Sequence, residues 1–199
     1  MNAEEIASEF CQRHPALSAC RADWLRTVAL CAQTYEAGGK LLTCGNGGSA
    51  ADAEHIVGEL LKGFRSRRLL KPEFTEAFRK LWPDDAEAVL SKLEWPLPAI
   101  ALTSHLSFTT AFANDNEWTY AFAQQLLGLG KAGDTLIAIS TSGNSRNVVA
   151  AVQVAKARGL RTVGMTGSKG GRLAALCDVT LTAPADAVHP QSLLDLPQG

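Results

Sequence analysis

Five short apolar runs punctuate the chain: KLLTC from 40, AIALT from 99, TLIAIS from 135, RTVGMT from 161 and VTLTA from 179. Each has the length of a strand, and the segments between them follow helical spacing. Strand therefore alternates with helix, which predicts an α/β fold with a parallel sheet covered on both faces. Ahead of the first run, Leu25, Val28, Ala29 and Ala32 fall at i, i+3, i+4 and i+7 in a helix expected over 17–35, which Gly38 and Gly39 end. The first and second runs are unusually far apart. Residues 65–98 read as an insertion with helical stretches at 72–81 and 84–93, bounded by Pro72, Pro83, Pro96 and Pro98. Leu90, Leu93, Trp95 and Leu97 give it an apolar face that packs on the domain, meets another subunit, or closes over a site.

Composition narrows the class. At 199 residues with 46% hydrophobic content, the chain has the length of one domain, 1–199, with a helical segment over 1–38. Acidic and basic residues number 20 and 19, giving a net charge of -1, so neither nucleic acid nor an anionic membrane is expected as a partner. Arg65, Arg67 and Arg68 form a small basic spot, readable as a solvated loop or as an anion contact. The five cysteines, Cys11, Cys20, Cys31, Cys44 and Cys177, lack the close spacing of a zinc site and look reduced. No apolar stretch approaches the roughly 18 residues of a membrane span, and the expected location is the cytoplasm.

Three segments carry candidate chemistry. Directly after the first strand, GNGGS (45–49) leads into a helix, an arrangement that turns backbone N–H groups and a helix N-terminus toward an anion. Its spacing matches neither the P-loop nor the dinucleotide fingerprint, and a tight turn alone also accounts for it. After the third strand, STSGNS places Ser140, Thr141, Ser142 and Ser145 on one turn before another helix. So many hydroxyls suit phosphate oxygens, although Ser145 also fits a plain N-cap. Finally, Asp52, His55 and Glu59 stand at i, i+3 and i+7 on one face of the helix after GNGGS, as a functional face or as a surface pair.

Taken together, CGNGGSAADAEHIVGEL, FAND at 112–115, GDTLIAISTSGNSRNVVAA from 133 and TGSKGGRLAALCDVTL from 166 resemble the sugar isomerase (SIS) domain, in its phosphoheptose isomerase branch. The resemblance covers most of residues 20–184. It implies a flavodoxin-like three-layer α/β/α sandwich on a five-stranded parallel sheet, assembled as a homodimer or homotetramer and binding a sugar phosphate. It also implies aldose–ketose isomerisation of sedoheptulose 7-phosphate, with a metal such as zinc in some members. On the matching positions, Asn46, Gly47 and Ser49 belong to the substrate loop, and Ser140, Thr141, Ser142 and Ser145 to the phosphate loop. Glu59 takes the place of the general base, and His55 that of the histidine near the metal, which would make His55 and Glu59 an incomplete metal site. Such chemistry needs a base to move a proton between adjacent carbons and an acid or metal to stabilise the enediolate. The pattern departs at three places. The family's closing Gln-Glu-x-His helix has no counterpart in ADAVHPQSLLDLPQG, where Pro190 separates His189 from Gln191. An aspartate after the second strand gives way to His105, and an arginine four residues after Glu59 to Gly63. Two functions stay open: an isomerase whose acid is His105, His189 or a group from a neighbouring subunit, or a sugar-phosphate-binding or protein-binding module without catalysis.

Overall fold

Successive residues of a strand point to opposite faces of the sheet, and here both faces are apolar. In the computed structural model, which describes residues 2–63 and 67–184, Leu42, Cys44, Leu136 and Ala138 enter one cluster with Phe122, Leu126, Val148, Val152 and Leu173. Leu41, Ile137, Ile139 and Val163 enter the other, with Ala53, Ile56, Leu60, Leu30 and Tyr35 packed around them. Each fully buried leucine stabilises the fold by roughly 1.5–3 kcal/mol, so the sheet is anchored from both sides. Arg65, His189, Pro190 and Gln191 lie outside the described residues.

The strands are β1 (Leu41–Cys44), β2 (Ala99–Ala101), β3 (Thr135–Ile139), β4 (Arg161–Thr166) and β5 (Val179–Thr182). They pair in parallel in the order β2-β1-β3-β4-β5, with Leu41 in register with both Ala99 and Thr135. That is the flavodoxin-like order. Before β1 come α1 (Ala3–Arg13) and α2 (Arg21–Glu36), and after it α3 (Gly48–Leu61). The chain continues through α4 (Pro72–Leu81), α5 (Ala86–Leu90), α6 (Leu106–Asp115), α7 (Ala121–Leu129), α8 (Arg146–Ala157) and α9 (Gly171–Leu176). α2 and α3 supply one face and α7, α8 and α9 the other, which makes the three layers.

The N-terminal boundary differs from the periodic pattern. Pro15 opens a separate 3₁₀ turn over Pro15–Cys20, so α2 begins at Arg21 rather than near Leu17. A capping box at Asn2 and Glu5 starts α1. Within the insertion α4 keeps its expected limits, whereas α5 ends at Leu90 and the Lys92 N–H turns back to Val89.

The basic spot has a structural role that neither of its two readings from sequence anticipated. Arg68 donates from Nε to the Trp95 carbonyl (2.8 Å) and from Nη2 to the Leu60 carbonyl at the end of α3 (2.7 Å), while Arg67 donates to the carbonyls of Ser91 and Leu93. The Glu94 carboxylate accepts the N–H groups of Gly63 (2.7 Å) and Arg68 (3.2 Å). The insertion is thus pinned to the last turn of α3. Desolvation pushes the Glu94 carboxyl up, but those N–H donors and the charges of Arg68 and Lys62 outweigh it and hold the group below the usual carboxylate range. A depressed carboxyl contributes stability above its unfolded pKa and loses it as pH falls through the folded value. Limited proteolysis within 67–95 should therefore accelerate on acidification through and below the carboxylate range in the native protein, and should already be fast at neutral pH in Glu94→Gln. A cleavage rate that is flat with pH would count against this pin.

The cysteines are free thiols. Burial pushes those of Cys31 and Cys177 up to about 11, and that of Cys44, in the core, higher still. None of these three is a poised nucleophile. No helix among the described residues is long and apolar enough to cross a membrane.

Candidate active site

The strand order reverses between β1 and β3: the chain leaves β1 toward β2 at one edge and leaves β3 toward β4 at the other. Open α/β sheets bind ligands in the crevice outside the carboxyl ends at such a point. GNGGS and STSGNS begin at these two carboxyl ends, side by side.

The glycines of the first loop do separate jobs. A Cβ on Gly45 would lie 2.4 Å from the Ser49 carbonyl oxygen, so only glycine lets the first turn of α3 fold back against the strand end, with Ser49 buried beneath it. Gly47 has φ +57° and caps α3, its carbonyl accepting the Ala50 N–H at 3.0 Å. α3 consequently starts inside the glycine run. Asn46 reaches across to α8, where its amide forms a reciprocal pair with Asn147: Asn46 Nδ2 donates to Asn147 Oδ1 (2.9 Å) and Asn147 Nδ2 to Asn46 Oδ1 (2.7 Å). This pair ties the two loops together. Asn147 was missed as a site residue because it sits in the apolar run of α8; a lone amide on a helix face that is otherwise buried was the available signal.

In the second loop Ser145 is the N-cap residue of α8, yet its side chain makes no capping bond. Its hydroxyl instead meets that of buried Ser140 at 2.9 Å, so the plain N-cap reading fails; in the first turn of α8 the Val148 N–H is taken by Asn147 Oδ1 at 3.0 Å. Ser142 Oγ accepts the Asn144 N–H (3.2 Å), and Asn144 in turn accepts the Arg172 N–H at the start of α9 (3.0 Å). Gly143, at φ +65°, rests directly on the loop after β4: a Cβ there would be 2.0 Å from the Gly170 carbonyl oxygen. Gly167 N–H also donates to the Thr141 carbonyl (2.9 Å). The TGSKGG stretch is therefore the floor of the hydroxyl loop. Oxygen and N–H groups gathered at a helix N-terminus favour a phosphate.

The third set lies elsewhere. His55 and Glu59 sit on the outer face of α3 with side chains 58% and 42% exposed, Nε2 and Oε1 3.5 Å apart, while Ser49, Ala53 and Val57 face the core. Asp52 is half-buried. Glu59 follows Gly48 by eleven residues, which places it about 16 Å along the axis at 1.5 Å per residue. The fold thus brings Asn46, Gly47 and the hydroxyl loop 140–145 side by side, turns Ser49 into the core instead, and leaves His55 midway along α3 and Glu59 near its far end. These two donors do not make a zinc site, which takes four ligands when closed and three when catalytic, and among the described residues no group of three or more His, Cys, Asp or Glu stands ready to hold a metal. His105, half-buried, caps α6 just after β2 and bonds through Nδ1 to Gln125 Oε1 at 2.5 Å.

Comparison with known proteins agrees with this geometry. Two SIS domain family models match, over residues 21–95 and 99–194. Phosphoheptose isomerase from Nitratidesulfovibrio vulgaris is 44% identical over 148 residues, 74% of this chain and 59% of that protein, so the match spans less than two thirds of that relative. Phosphoheptose isomerase from Akkermansia muciniphila is 34% identical over 87% of this chain and 78% of its own length. The solved structure of phosphoheptose isomerase from Neisseria gonorrhoeae superposes with a TM-score of 0.68 at 31% identity, covering 96% of this chain and 93% of that one. With two SIS domain models matching most of its length and a relative 34% identical over 87% of this chain and 78% of its own, the chain belongs to the phosphoheptose isomerase family of SIS-domain proteins.

Proposed function

We propose that this protein is an aldose–ketose isomerase of a phosphorylated sugar, with sedoheptulose 7-phosphate as its substrate. The convergence of GNGGS and STSGNS at the switch point, locked by the Asn46–Asn147 pair, carries this reading. The phosphate sits on Ser140, Thr141, Ser142, Ser145 and the first turn of α8, and the carbon chain runs across the Gly45–Ser49 loop. Glu59 is the base that moves a proton between C1 and C2. Because Glu59 lies about 16 Å down α3, farther than an extended heptose phosphate reaches from its own phosphate loop, the base serving each sugar comes from a second copy. The working unit is a homo-oligomer, and its place is the cytoplasm. Both proton transfers are assigned to side chains of the protein.

A second reading, a sugar-phosphate-binding module without turnover, is favoured by the distance between Glu59 and the phosphate loop within one chain. Incubation with sedoheptulose 7-phosphate in deuterium oxide separates the two. The isomerase incorporates deuterium at C1 and C2 of the sugar. A protein that binds the sugar phosphate by calorimetry yet exchanges no carbon-bound proton belongs to the second class.

A further inference from the structure

The isomerase reading above leaves one proton without a carrier, and the end of β2 supplies a group built to carry it. Isomerisation moves two protons: one from C1 to C2, which Glu59 handles, and one from O1 to O2. The second needs a single atom that can both accept and return a proton at neutral pH, facing two adjacent oxygens.

His105 meets that requirement because its tautomer is fixed by the fold. The Leu102 carbonyl oxygen only accepts, so the Gln125 atom 3.0 Å from it must be Nε2, the donor. Gln125 Oε1 is thereby turned to His105 Nδ1 at 2.5 Å, and since Oε1 also only accepts, Nδ1 must carry the hydrogen. Gln125 is itself 6% exposed and held in α7, so this chain of bonds has little freedom. In the neutral ring, Nε2 is left as the unprotonated nitrogen.

Position agrees with chemistry. β2 neighbours β1, which neighbours β3, so Ala101 at the end of β2 lies in register, through Thr43, with Ile137 near the end of β3, about 9.6 Å away at two strand spacings of roughly 4.8 Å. A sugar whose phosphate rests on the loop after β3 and whose carbons cross the Gly45–Ser49 loop brings C1 and C2 toward His105.

We propose that His105 Nε2 is the second proton-transfer group, taking the O1 proton of the ketose and delivering it to O2, while Gln125 is the positioning residue that holds the ring. As Glu59 removes the C1 hydrogen, the C1–H electron pair forms the C1=C2 bond and the carbonyl pair moves to O2, which receives the proton that Nε2 has taken from O1. The O1 pair then forms the aldehyde, and the C1=C2 pair takes the proton from Glu59 at C2. Imidazole and carboxylate both return to their starting states, so no co-reactant is consumed.

Two-dimensional ¹H–¹⁵N correlation of the histidine rings in the intact wild-type protein tests the tautomer without any turnover. Nδ1 of His105 should carry the hydrogen, and its Nε2 resonance should shift on saturation with sedoheptulose 7-phosphate. An Nε2–H tautomer, or a resonance indifferent to saturating sugar phosphate, overturns the proposal. In kinetics, His105→Ala should lower turnover by about 10²-fold, leave the calorimetric affinity nearly unchanged, and recover partly with added imidazole. Gln125→Leu should lose the tautomer signature and part of kcat while the calorimetric affinity for the sugar phosphate holds. Unchanged turnover in His105→Ala rules the role out. If wild-type protein exchanges no deuterium while the His105 resonance responds to the sugar, the isomerase reading has failed and the placement of His105 beside the sugar has not.

Discussion

Glu59→Gln should lower isomerase turnover by about 10⁴-fold, the upper end for loss of a positioned base, while calorimetry finds sugar-phosphate affinity nearly unchanged. Glutamine keeps the length and shape of the side chain and removes only the capacity to take a proton. The phosphate loop, at the opposite end of α3, does not contact it, so binding and catalysis separate cleanly. Deuterium exchange into the sugar is the sensitive readout, because it registers proton abstraction even where isomerisation stalls. His55, 3.5 Å from Glu59 and open to solvent, is not given that task, and His55→Gln should cost far less. The shared site makes a further demand. A Glu59→Gln chain mixed and reassembled with a chain whose phosphate loop is broken should regain activity, since a mixed oligomer contains one intact combination of loop and base. A mixture as inactive as its parents would mean that each crevice relies on its own Glu59.

The loop-breaking partner for that experiment is Gly143→Ala, and its own effect should be large. The new Cβ would meet the Gly170 carbonyl oxygen at 2.0 Å and the Gly171 Cα at 2.9 Å, backbone against which no rotamer change helps. The φ of +65° adds the strain of a left-handed residue, on the order of 1–2 kcal/mol. Either the hydroxyl loop lifts off the Gly167–Gly171 loop or the fold loses stability, by an expected 3 kcal/mol or more, within the range of overpacking and backbone strain combined. In both cases the hydroxyls of Ser140, Thr141, Ser142 and Ser145 leave their positions and sugar-phosphate binding is lost. Gly47→Ala provides the contrast: φ is +57° and ψ −123°, a glycine-favoured conformation, but open space surrounds the position, so backbone strain on the order of 1–3 kcal/mol applies without any clash. Urea unfolding measures the difference. Equal midpoints for the two variants would show that the glycine-on-glycine contact does not support the loop.

The apolar runs at 40, 99, 135, 161 and 179, alternating with helical spacing, determined the parallel sheet. Burial of both strand faces leaves no other economical arrangement for chains of that pattern. Turn chemistry was equally legible: glycines and hydroxyls directly after β1 and β3 mark tight turns into helices because the reason for them lies within a few residues. The limits of α2 and α5 were less so, since Pro15 opens a separate turn before the one and the Lys92 N–H turns back to Val89 after the other. What only the tertiary structure decided is which residues from distant segments meet. Asn46 finds Asn147, Gly143 rests on Gly170, and Gln125 fixes the ring of His105, each across a gap in sequence that periodicity does not register. Helical spacing put His55 and Glu59 correctly on one face of α3, but it carries no record of where the rest of the site lies. The length of α3 is what separates them from the phosphate loop. Contacts between segments depend on how layers stack, and stacking is settled by the whole core at once.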